Sequence, residues 1–247
     1  MDDEGLLFAP ADASAAPPLA GEGFTEANGF LRDCRRLVDW PWLAAVAEDA
    51  RLPRLSTLYL LAGARGGTSP LHYDMRANFF CMVSGRKRVF LAPPDAWPRL
   101  RPWPVTSALD RRARVSAADL GGGAGAVAVT LEPGEALFIP PFWFHDVQQI
   151  DATTVSLAFW FLSEPPLDRR ARALRLARDV EQCAADAAGE RGAADLLLRA
   201  AGPEADDDDA ACRAIRDAAK AEPPGFLASV VAGRLFGAPP DLAAPEG

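Results

Sequence analysis

The chain has 247 residues, a formal net charge of −8 and an isoelectric point of about 4.9, with 49% hydrophobic and 24% charged residues. Such a balance fits one sizeable globular domain with a helical appendage and excludes a disordered or fibrous chain. The acidic surplus argues against general binding to nucleic-acid backbone or to an anionic membrane surface.

The start, Met1-Asp2-Asp3-Glu4, lacks the basic n-region of a signal peptide, and no apolar run reaches membrane-spanning length. Cys34, Cys81, Cys183 and Cys212 are scattered and form no CxxC pair. Together these features predict an intracellular protein, cytoplasmic or nuclear, with reduced thiols.

Residues 9 to 23, rich in Pro, Ala and Gly, read as a poorly ordered leader. From Asn28 to Ala50 the pattern turns helical, and Pro41 divides it into two short helices. From about Leu55 short apolar stretches follow one another between Gly and Pro turns. They run over Leu55 to Leu61, Leu71 to Asp74, Asn78 to Val83 and Arg86 to Ala92, then Ala126 to Leu131, Ala136 to Ile139, Asp146 to Ile150 and Thr153 to Leu162. Many short strands at this spacing predict an all-β sandwich or barrel. Pro102 to Gly125 is a long connection, of the kind that often carries function. After Pro165-Pro166 the strands stop, and helices are expected over Leu167 to Ala188, Leu196 to Leu198, Ala210 to Ala221 and Phe226 to Phe236. The run Asp206 to Asp209 reads as acidic residues at the N-terminus of the next helix. The expected organisation is a leader with short helices over 1–52, a β-domain over 53–164 and a helical region over 165–247.

The two histidines of the chain carry most of the chemical information. His72 opens His72-Tyr73-Asp74, and residues two apart on a strand face the same way. His72 and Asp74 can therefore grip one ion, and His145, behind the Ile139-Pro140-Pro141 turn of a distant strand, completes two histidines and a carboxylate. That facial set leaves three coordination positions open and suits non-haem Fe(II). A core histidine and a solvated surface pair are the bland alternative.

Ser84-Gly85 reads as a two-residue hairpin turn, pairing Val83 with Arg86 and Met82 with Lys87. Parity then sets Asn78, Phe80, Met82 and Lys87 on one face. A lysine sharing a face with Phe80 and Met82 is costly unless it meets an anion.

Several motifs share an order along the chain: Ser69-Pro70-Leu71-His72-Tyr73-Asp74, Asn78-Phe79-Phe80, Gly85-Arg86-Lys87-Arg88, Pro93-Pro94-Asp95, Pro102-Trp103-Pro104-Val105, Asp110-Arg111, Pro133-Gly134-Glu135 through His145, and Phe159-Trp160. In this the sequence resembles the JmjC-type, cupin-like 2-oxoglutarate oxygenases. The pattern is most like the branch of the asparaginyl hydroxylase that inhibits hypoxia-inducible factor. The resemblance implies a double-stranded β-helix, or jelly roll, with helical extensions at both ends. It implies Fe(II) on His72, Asp74 and His145, with 2-oxoglutarate and O2 as cosubstrates. Lys87 and Ser69 would meet the distal carboxylate of 2-oxoglutarate, and Asn78 and Phe80 would line its pocket. It further implies a protein side chain as substrate, hydroxylated beside Trp103, Arg111, Arg112 and Trp160, and a homodimer through the C-terminal helices. Ala158 replaces an asparagine of that branch, and its cosubstrate tyrosine has no aligned counterpart. Two other readings remain: a metal-binding cupin-like module without oxygenase activity, and an RNA-modifying oxygenase of the same fold.

Overall fold

A computed structural model describes residues 39–49, 55–120, 125–161, 167–202, 210–220 and 225–236. The expected leader, the helix start at Asn28, Cys34 and the run Asp206 to Asp209 lie outside these residues.

Helix α1 (Trp40–Asp49) precedes eight strands: β1 (Leu55–Ala64), β2 (Thr68–Tyr73), β3 (Asn78–Ser84), β4 (Lys87–Ala92), β5 (Val127–Leu131), β6 (Ala136–Ile139), β7 (Phe144–Gln149) and β8 (Thr153–Phe161). They form two four-stranded sheets, ordered β1-β8-β3-β6 and β2-β7-β4-β5. The chain steps from one sheet to the other at nearly every connection, as a jelly roll does. In the first sheet β8 lies antiparallel between β1 and β3, with Tyr59 opposite Ala158 and Asn78 opposite Trp160.

Strand alternation assigns the two faces of this sheet. Leu58, Phe159 and Phe161 point to one side and pack with Leu43 of α1 and Leu55. Asn78, Phe80 and Met82 point to the other side and are buried. The expected hairpin between β3 and β4 does not form. Strand β3 pairs with β6 and β8, and β4 belongs to the other sheet. The Ser84-Gly85 step is an arch between sheets, so Val83 does not pair with Arg86. Gly85 is required there, because its φ is +68° and a Cβ would clash with the Thr153 carbonyl oxygen. The shared burial of Phe80, Met82 and Lys87 survives this correction, since the inner faces of both sheets are enclosed.

By contact the chain divides into two compact units. Among the described residues, one takes in Asp39 to Ser69, Asp74–Phe90 and Ala128–Leu167. The other takes in Pro70–Tyr73, Leu91–Val127 and the described residues from Asp168 to Phe236. In the second unit a 3-10 turn (Pro94–Ala96) leads into α2 (Trp97–Leu100), and α3 (Ala117–Leu120) lies in the long connection. Helix α4 (Arg169–Ala201) begins on Asp168, whose carboxylate accepts from the Ala171 N–H at 2.7 Å. It is broken at Gly189, with φ 68° and ψ 175°, so two helices meet there, as the sequence pattern suggested. Helices α5 (Ala210–Ala219) and α6 (Phe226–Phe236) follow. Val180, Ala184, Leu196, Leu197, Ile215 and Val231 form their common core. Most of the apolar side chains expected to be left for a dimer contact are thus already buried, while Leu198 stays exposed.

Candidate metal centre

Strand β2 alternates, with Leu71 and Tyr73 buried and His72 half-buried on the opposite face. Asp74 is the first residue past the strand and is buried. Its carbonyl accepts a hydrogen bond from the Phe142 N–H at 2.7 Å. Phe142 holds this bond with φ 64°, a left-handed conformation that is costly for a bulky residue. The turn before β7 is therefore fastened to the residue that follows β2. Three residues later comes His145, buried on β7.

The two imidazoles are oriented by the same local device. His72 Nδ1 lies 2.7 Å from the Pro70 carbonyl, and His145 Nδ1 lies 3.1 Å from the Trp143 carbonyl. A carbonyl only accepts, so each Nδ1 donates, and in the neutral ring that leaves Nε2 as the nitrogen able to take a metal. His145 Nε2 stands 3.5 Å from Asp74 Oδ2. One donor atom from each of His72, Asp74 and His145 lies within 4.8 Å of the others. Metal–ligand bonds of about 2.0–2.2 Å put neighbouring donors around one ion about 3 Å apart, so the set fits a divalent metal after a small contraction. Two neutral imidazoles and a carboxylate are the donors that non-haem iron takes.

Lys87, at the start of β4, has its side chain on the inner face at 1% exposure. Its ammonium donates to Ser156 Oγ at 2.7 Å and to the Leu61 carbonyl at 3.3 Å, and sits 5.3 Å from the centre of the Phe80 ring. All three partners are neutral, and no carboxylate pairs with it among the described residues. Burial pushes its pKa down to about 8. A buried ammonium without an anion is the expected signature of a pocket built for an anionic ligand.

Two more polar atoms on this inner face lack a hydrogen-bond partner: Asn78 Oδ1 and Trp160 Nε1. They belong to directly opposed residues of β3 and β8. Asn78 is four residues after Asp74, and Ser156, the hydroxyl that Lys87 holds, lies opposite Met82 further along the sheet. Trp160 is half-buried and meets Tyr59 edge to face, with ring centres 5.2 Å apart.

The remaining expected residues fall elsewhere. Ser69 is half-buried in β2, and the hydroxyl that Lys87 holds is that of Ser156. Arg111 and Arg112 act first through their backbone: the Arg111 carbonyl accepts from the Tyr73 N–H at 3.2 Å, and Arg112 bridges His72. Trp103 is half-buried, with the Arg114 guanidinium 4.2 Å above its ring. Ser156, Tyr59 and Phe142 were not singled out in the sequence. The alternation of β8 through Ser156, Ala158 and Trp160 was the one available signal for the first of them.

The profile of the cupin-like domain family matches residues 18–166. Three relatives with different names match part of the chain. The "Lysine-specific demethylase JMJ31" of Arabidopsis thaliana is 35% identical over 44% of this chain and 21% of its own length. The "Jumonji C domain-containing protein 5" of Drosophila melanogaster is 35% identical over 40% of this chain and 26% of its own. The "tRNA wybutosine-synthesizing protein 4" of Gibberella zeae is 32% identical over 58% of this chain and 14% of its own. The chain thus matches about a quarter or less of the length of each. Because the profile match takes in more than half of the 247 residues, with every strand and all three donors inside it, the chain belongs to the cupin-like domain family.

Proposed function

We propose that the protein is an Fe(II)- and 2-oxoglutarate-dependent dioxygenase that hydroxylates a protein side chain. The observation that carries this reading is the presence in one domain of the His72, Asp74 and His145 donor set together with a buried Lys87 that no carboxylate pairs among the described residues. A metal-binding module alone has no use for a buried ammonium, which is a net cost to the ligand-free fold. Bound Fe(II) supplies oxygen activation coupled to decarboxylation of the keto acid, which yields succinate, carbon dioxide and a hydroxylated C–H position.

The chain's own groups bind and orient. His72 and His145 offer Nε2, fixed by their Nδ1 hydrogen bonds, and Asp74 supplies the anionic donor. Lys87 takes the distal carboxylate of 2-oxoglutarate, with Ser156 beside it and Ser69 as a second hydroxyl. Phe80 and Met82 exclude water from the methylene stretch. The unmatched Trp160 Nε1–H and the Asn78 carboxamide serve the end of the ligand nearest the metal. Residues 53–164 are the oxygenase module and 165–247 its helical extension, in an intracellular protein. Trp103, Arg111 and Arg112 border the route of the protein substrate. No described helix is long and apolar enough to cross a membrane.

Succinate release from 2-oxoglutarate by the Fe(II)-loaded chain is the decisive assay. Asp74→Ala removes the only carboxylate among the three donors, and tight Fe(II) binding should go with it. A wild-type chain that binds metal but neither binds nor turns over 2-oxoglutarate is a cupin-like metal module, and the proposal fails.

A further inference from the structure

The strand that presents His72 has a neighbour supplied by the long connection. The Tyr73 N–H donates to the Arg111 carbonyl at 3.2 Å and the Ala113 N–H to the Leu71 carbonyl at 2.8 Å, with Arg112 facing His72 between them. Residues 111–113 are in effect an added edge strand on the ligand-bearing stretch of β2. This edge is not relaxed, because Arg111 stands at φ 68°, where a non-glycine residue stays only if its surroundings hold it.

One side chain from far along the sequence supplies that hold. Arg178 of α4 grips Asp110, the residue before the strained one, with both guanidinium ends: Nη1 to Oδ1 at 2.5 Å and Nη2 to Oδ2 at 2.7 Å. The same Nη1 lies 3.5 Å from the Tyr73 hydroxyl. The Arg178 side chain is only 17% exposed, and Tyr73 is buried. A bidentate, partly buried pair of this kind fixes direction as well as distance. Tyr73 is thus held at its backbone by Arg111 and at its ring end by Arg178, and it sits between two of the three metal donors.

We infer that Arg178 is a positioning residue for the metal centre: through Asp110 and Tyr73 it locks the edge that aims the His72 imidazole. The inference rests on the metal reading given above. Its physical basis is the tolerance of a metal site, whose donors must be held to within about 0.5 Å. The His72 ring takes its direction from its own backbone and from the Pro70 carbonyl, both on the stretch that the added edge fixes.

Co(II) is the probe, titrated into the full chain and followed by calorimetry and by its visible absorption, which reports coordination geometry. Arg178→Gln keeps the size and loses the charge; Co(II) affinity should fall about tenfold, the lower end of the effect of removing an outer partner of a metal ligand, with a changed band shape. Arg178→Lys keeps the charge without the fork and should recover part of both signals. If circular dichroism shows that Arg178→Gln does not fold, Arg178→Lys and Tyr73→Phe carry the test, and weaker Co(II) binding by either folded variant supports the inference. Unchanged affinity and spectrum in every folded variant overturns it and leaves the metal site standing. A wild-type chain that takes up no Co(II) overturns the metal reading itself, and this inference with it.

Discussion

Replacing Lys87 by Met should stabilise the ligand-free protein at neutral pH while abolishing its affinity for a dicarboxylate. Burial pulls the Lys87 pKa from 10.5 to about 8. Each tenfold change in proton affinity is worth about 1.36 kcal/mol, so keeping this lysine charged inside the sandwich costs about 3 kcal/mol against the unfolded chain. Removing Nζ withdraws a donor from Ser156 Oγ and from the Leu61 carbonyl, at about 1 kcal/mol for each acceptor left short. The Leu61 carbonyl keeps the Ser156 hydroxyl as a second donor at 3.4 Å, which softens that loss. Met is of similar length, is flexible, and suits the company of Phe80 and Met82. The net expectation is a gain of about 1–2 kcal/mol near pH 7. The gain must also depend on pH in a definite sense. Because the folded pKa lies below the unfolded one, the unfolded chain binds more protons between about pH 8 and pH 10.5, so wild-type stability rises with pH across that window. The advantage of Lys87→Met therefore shrinks above pH 8, is gone by about pH 9 and is reversed by about pH 10.5. Urea unfolding of both proteins at about pH 7 and about pH 9.5 measures it. A Met variant less stable than wild type at neutral pH, or a gap of equal size at both pH values, refutes the assignment of Lys87 as an uncompensated buried cation.

The same titration governs the ligand: 2-oxoglutarate affinity of the metal-loaded chain should be flat below pH 8 and fall above it, as the free protein loses the Lys87 proton, and calorimetry over that range checks it. Gly85→Ala forces a Cβ against the Thr153 carbonyl at a positive φ, and a loss of about 2 kcal/mol or more in unfolding free energy is expected; a change below about 0.5 kcal/mol would show that the arch between the sheets relaxes freely. Arg111→Ala combined with Arg112→Ala should slow substrate-coupled turnover while leaving uncoupled 2-oxoglutarate decarboxylation largely intact, because the backbone bonds of these residues to β2 survive the change. Equal loss of both activities would make the two side chains structural.

The donor set could be read from the chain because metal chemistry accepts few side chains and this chain offers only two histidines. Strand parity within β3 needs no partner, so Phe80 and Met82 share a buried face as expected, whereas Lys87 is buried on a strand of the other sheet, because the hairpin that put it on their face does not exist. Turn chemistry is local: Ser84-Gly85 has the same sequence whether the next strand returns to its own sheet or crosses to the other. Only pairing with β6, β8 and β7, all distant in the chain, decides between them. Two separate helical stretches, Leu167 to Ala188 and Leu196 to Leu198, were legible on either side of Gly189, and the fate of Leu196, Leu197 and Val231 was not, since burial depends on which helices meet.

Ser156 and Tyr59 carry no sequence mark, because a serine or tyrosine on a strand becomes part of a site only through its cross-strand neighbours. The clearest case is Arg178, which meets Asp110 across 68 residues of sequence. A charge pattern fixes that an arginine and an aspartate exist. Tertiary packing decides that they share one partly buried contact, because the free energy of that bond depends on distance, direction and exclusion of water, none of which is local.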